Sequence, residues 1–296
     1  MLTIVVQSAA VINTNSRLSD LQFSQIMNSI SDEAIIDPMK VFNYLMAARR
    51  RTSHKPTHVL SNRFLNSPQL KRWASLDTSD VSIIKGSFRS RQAVRNFCVG
   101  VIEQIRDAQI PVIWALNIPR IEDQPAEIST IDLLKYITKQ AIPLRKKPPT
   151  EKSMSLSCAP FHGNLSEADW FQLLESALAE IGRPVYLIID LELLHRDSAP
   201  ANGFSWLCAF REFFTQLARR GIDHPVKVLL ISYGAGLPFA LSSSEQSGFV
   251  ISTKTDTVTA RQRRAGKKGN VKLGDHFRFG RIAGGAQGGL PRRFAR

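Results

Sequence analysis

Cysteine is scarce in this chain of 296 residues, with only Cys98, Cys158 and Cys208, all far apart. They form no CxxC pair and no ligand-spaced set with the six histidines, which argues against a zinc site and against a disulfide framework. Each is expected to be a small core residue in a reducing compartment. No apolar run approaches the roughly 18–20 residues of a membrane span. The apolar start, MLTIVVQSAAVINTN, lacks the basic leader of a secretory signal. The expectation is a cytoplasmic protein without membrane partners. No G-x-S-x-G, H-E-x-x-H or spaced Ser/His/Asp set occurs, so nucleophilic and metal-dependent hydrolysis have no support.

The chain does have enough apolar residues, 43%, for a substantial core. Its net charge of +14 is unevenly spread: residues 242–296 hold twelve Lys/Arg against three Asp/Glu, which leaves 27 against 22 for residues 1–241. That segment also carries nine glycines and few apolar clusters. Such a composition predicts a disordered basic tail over 242–296, apart from a possible strand at 248–252. Its arginines, with Phe277 and Phe279, suit phosphate neutralisation and base stacking, so nucleic acid is a candidate partner for residues 254–296.

Periodicity divides the rest. Residues 1–69 read as a helical extension, with a short amphipathic helix at 19–31 and another from Asp37-Pro38 to about Arg51. The second helix would bury Met39, Phe42, Leu45 and Met46. From Val81, apolar strands alternate with helices: strands at 81–85, 111–116, 185–190 and 226–232, and helices at about 89–107, 129–142, 166–181 and 204–220. This alternation predicts an α/β fold over 70–241, a mostly parallel sheet covered by helices on both faces in three layers. The helix at 89–107 would bury Val94, Phe97, Cys98, Val101, Ile102 and Ile105 and keep its charges on the other side.

Residues 79–100 have the outline of a phosphate-binding loop: apolar strand, glycine, short basic loop, helix. A working G-x-x-x-x-G-K-[ST] loop needs a second glycine, a lysine and a hydroxyl. Gly86 is present, but Arg91, Gln92 and Ala93 stand at those three positions. Asp190 ends the strand VYLIID, where a carboxylate would hold Mg²⁺ through water. Losing several charged groups removes useful hydrolysis, since each commonly contributes a factor of about 10³ or more.

Taken in order, Trp73-Ala74-Ser75-Leu76, the loop at Gly86–Ala93, residues 129–142, VYLIIDLELL at 185–194 and VKVLLISYG at 226–234 resemble the nucleotide-binding core of STAND-type P-loop NTPases. The similarity is greatest to the NACHT-like modules of large fungal signalling proteins, and it covers roughly residues 70–241. It implies a P-loop NTPase-like fold and a degenerate nucleotide site. The family's acidic pair after the strand is Leu193 and Leu194 here, with Glu192 the nearby carboxylate, and Ser232-Tyr233 replaces the sensor Ser-Arg. The resemblance implies a non-catalytic interaction or regulatory domain with protein partners, a fragment of a larger signalling protein. It also predicts that strands 81–85 and 185–190 lie side by side, and that Arg89 or Arg91 occupies the old phosphate space.

Two other classes stay open. A divergent NTPase would hold ATP or GTP with Mg²⁺ through Gly86, Arg89, Arg91 and Asp190, and a nucleic-acid binder would use the tail. His195-Arg196-Asp197 with Asn202 matches the spacing of a kinase catalytic loop, but no D-F-G, V-A-I-K or G-x-G-x-x-G accompanies it.

Overall fold

A computed structural model describes residues 36–52, 67–118, 128–145, 165–194, 204–233 and 250–252. The expectations for residues 19–31, the 195–202 motif, Cys158 and the basic tail from 253 onward lie outside the described residues. Within them, no helix is long and apolar enough to cross a membrane.

The chain enters through α1 (Pro38–Thr52) and α2 (Pro68–Ser75). Then come β1 (Asp80–Gly86), α3 (Arg91–Asp107), β2 (Val112–Ala115), α4 (Thr130–Ala141), α5 (Glu167–Ala179) and β3 (Val185–Asp190). Last are α6 (Trp206–Arg219), β4 (Val226–Tyr233) and β5 (Val250–Ser252). Helix starts follow the sequence signals. Asp37 accepts from the Met39 and Lys40 amides at 2.9 and 3.0 Å ahead of Pro38. Ser129 and Ser166 form reciprocal caps with Asp132 and Asp169.

All five strands are parallel, in the order β2-β3-β4-β1-β5. The expected pairing of 81–85 with 185–190 is therefore wrong: β4 lies between β1 and β3 and bonds to both. Their separation is two strand spacings, about 10 Å. Burial on both faces explains the misreading, because a central parallel strand such as VKVLLISY is apolar almost throughout and carries no alternation to mark its neighbours.

Side chains alternate between two cores. Ile83, Leu187 and Leu230 face α4, α5 and α6 on one side. Ile84, Ile188 and Leu229 face α1, α2 and α3 on the other. Each fully buried aliphatic side chain contributes about 1.5–3 kcal/mol. At the β2 edge of the described sheet, Gln140 of α4 bonds to the backbone of β2. Its Oε1 accepts from the Trp114 amide at 3.2 Å, and its Nε2 donates to the Trp114 carbonyl at 3.0 Å. At Trp114 the edge backbone is thereby satisfied by a side chain.

Three burial expectations need correction. Arg95 is buried with the apolar stripe of α3 instead of standing on the opposite side. Cys98 is buried as expected, but Cys208 is exposed. In α1 the buried residues are Val41, Phe42 and Leu45, while Met39 and Met46 are only partly covered.

Candidate functional site

The loop leaving β1 turns into α3 on one face, whereas the chain leaving β2 and β3 goes to helices on the other. Such a divergence opens a crevice at the carboxyl ends of the strands, the usual ligand position in an open α/β sheet. Gly86, Tyr233 and Asp190 stand there, at the ends of β1, β4 and β3. Arg91 and Arg95 come from the first turns of α3.

Gly86 is opposite Tyr233 in the register. A Cβ on Gly86 would meet the Tyr233 ring at 2.5 and 2.6 Å, so the glycine is required by the phenol packed over it. The backbone then makes a 3-10 turn, Phe88–Ser90, closed by two serines. The Ser87 amide donates to Ser90 Oγ at 2.8 Å, and the Ser90 amide donates to the Ser87 carbonyl at 3.0 Å and to Ser87 Oγ at 3.3 Å. These N–H groups would have to point at a bound phosphate, and here the loop's own oxygens take them.

Arg91 lies in the crevice. Its guanidinium packs over the Phe88 ring at 4.8 Å and the Tyr233 ring at 5.4 Å, and it is ion-paired with Glu192. Arg95 reaches the second Glu192 oxygen at 3.6 Å. A carboxylate of the chain thus sits at the positive end of α3, where the helix dipole and two guanidiniums favour an anion. Of the two arginines named in the sequence, Arg91 packs against Glu192, Phe88 and Tyr233, and Arg89 is exposed.

Asp190 is 1% exposed. One of its oxygens accepts from the Glu192 amide at 3.1 Å and caps the turn Leu191–Leu193. Burial pushes its pKa up to about 7, and the Glu192 charge adds to the rise. The Glu192 and Asn117 amides and Arg95 oppose it. Cys98 and Tyr233 are pushed well above their ordinary values, mainly by burial and next by the Asp190 charge. The Tyr233 hydroxyl makes no hydrogen bond among the described residues. No group of three or more His, Cys, Asp or Glu able to hold a metal occurs among them either.

The structure thus brings together Gly86, Arg91 and Asp190 from the sequence-predicted set and leaves Arg89 outside. It adds Ser87, Ser90, Arg95, Glu192 and Tyr233. The spacing Ser87-x-x-Ser90 before a helix is a capping signal readable in the sequence. Tyr233 over Gly86 has no such signal, since it depends on the register of β4 against β1. Comparison of the chain with protein-family models, curated proteins and solved structures finds no match.

Proposed function

We propose that the chain is a non-catalytic NACHT-like P-loop module that acts as an interaction or regulatory domain within a larger signalling protein. Glu192 carries this reading. Its carboxylate engages Arg91 and Arg95 at the mouth of α3, so one of the two charges that would attract a phosphate is already offset from within. The reciprocal Ser87–Ser90 cap supports the same reading by using the loop's amides.

An ATP- or GTP-binding NTPase fits these residues poorly. Mg²⁺ needs an ionised carboxylate with room for coordinated water, whereas Asp190 is buried, shifted toward its neutral form and engaged with the Glu192 amide. Calorimetric titration with Mg-ATP and Mg-GTP tests the reading, with Asp190→Ala as control. The expected result is no saturable heat for either protein, and micromolar binding that Asp190→Ala abolishes would establish the NTPase instead.

A further inference from the structure

At the opposite, amino end of the sheet, a cleft of about 210 Å³ separates α2 from the start of β1. Arg72, Trp73 and Leu76 form one wall, and Ser79, Asp80 and Ser82 belong to the other. The volume corresponds to about seven waters of liquid, enough for a small metabolite and far too little for a nucleotide.

Two opposite charges line this cleft without closing on each other. Arg72 acts electrostatically on Asp80, yet among the described residues no ion pair within 4.0 Å joins them. The Asp80 carboxylate accepts from the Val81 amide at 2.8 Å, and the Asp80 carbonyl accepts from Trp73 Nε1 at 3.4 Å. Beside it in the register is Lys227, which is 1% exposed and whose Nζ has no hydrogen-bond partner among the described residues. Burial pushes the Asp80 carboxyl up, while Lys227 is the largest influence holding it ionised. Leu76 supplies apolar surface beside these charges, while Trp73 is buried behind it with its ring edge-on against Tyr186 at 5.8 Å.

We propose that this cleft binds a small zwitterion of the α-amino-acid class, its carboxylate on the Arg72 guanidinium, its ammonium on Asp80 and its side chain against Leu76. A carboxylate meets a guanidinium fork with two charge-assisted hydrogen bonds. A simple anion meets only Arg72 and a simple amine meets only the Asp80 carboxylate, whose other charged neighbour is the buried Lys227, so a ligand bearing both charges answers both walls. The site is separate from the carboxyl-end crevice and does not depend on how that crevice is read.

The full-length chain is titrated calorimetrically with glycine, L-leucine and L-phenylalanine, and with sodium acetate and methylammonium chloride as single-charge controls. At least one amino acid should bind saturably, and both controls about tenfold or more weakly. Arg72→Gln and Asp80→Asn should each weaken amino-acid binding by about tenfold or more, with the circular dichroism unchanged. Arg72 is exposed on α2, so Arg72→Gln keeps the fold and decides the question if Asp80→Asn does not fold. Absence of saturable amino-acid binding up to about 10 mM, equal binding of a control ion, or full affinity in Arg72→Gln would overturn the proposal.

Discussion

The two ends of the sheet handle buried charge differently. At the carboxyl end, Glu192 pairs with both Arg91 and Arg95, Asp190 accepts backbone amides, and Tyr233 covers the glycine. At the amino end, Arg72 and Asp80 share a cleft without pairing, and Lys227 is buried beside them with no hydrogen bond among the described residues. The end where α/β sheets usually take ligands is closed by its own side chains, and the other end holds open polar surface. The position of a crevice in a fold therefore says less about binding than whether its donors and charges are already taken.

The strongest way to break this contrast is to remove the internal anion. Glu192→Ala leaves two guanidiniums facing each other in a half-buried site and should destabilise the fold by about 3 kcal/mol in urea unfolding. Sulfate or phosphate should restore part of that loss beyond what equal ionic strength of chloride does, because the vacated helix end then binds an external anion. A variant as stable as the parent would show that Glu192 neutralises nothing of consequence.

Next in size is the glycine. Gly86→Ala drives a methyl group into the Tyr233 ring and should cost about 2 kcal/mol. Adding Tyr233→Ala should reduce that penalty, measured as a double-mutant cycle. Additive losses would mean that the ring and the glycine do not constrain each other.

Effects opposite in pH dependence separate the two ends. Asp190 has a raised folded pKa, about 7, against about 3.9 when unfolded. The native state therefore binds the extra proton between these values, and stability falls as pH rises from about 4 to about 7. The stability of Asp190→Asn relative to the parent should increase across that window. Lys227 has a lowered folded pKa, about 8, chiefly from burial, with Asp80 and Asp77 opposing. Here the unfolded state binds more protons, so stability rises from about pH 8 to about 10.4. The advantage of Lys227→Met should be full below about pH 8 and fade above it. Chemical denaturation at several pH values checks both slopes, and a flat difference for either variant would remove that residue from the account.

The α/β class, the starts of α1, α4 and α5 and Asp190 at a strand end were legible from local patterns, whereas α2 was not read as a helix. The capping serines, the apolar stripe of α3 and the run VYLIID each carry their own signal. Strand order was not legible, because two fully buried parallel strands offer no alternation to fix who neighbours whom. That gap explains the misplaced pairing of β1 with β3 and the unforeseen covering of Gly86 by Tyr233. Arg95 and Lys227 were hard for a related reason: charged residues within apolar segments usually mark the solvent side, and here burial is set by elements far away in sequence. Cys208 shows the reverse, a residue type that is usually buried placed on the exposed side of α6.

Amide hydrogen exchange at Ser87 and Ser90, measured by NMR with and without millimolar Mg-ATP, tests the closed crevice most directly. If the loop's oxygens already hold these two N–H groups, both exchange slowly without nucleotide and their rates do not change when it is added. Fast exchange in its absence, with protection appearing on addition, would show an open phosphate loop and contradict the closed site.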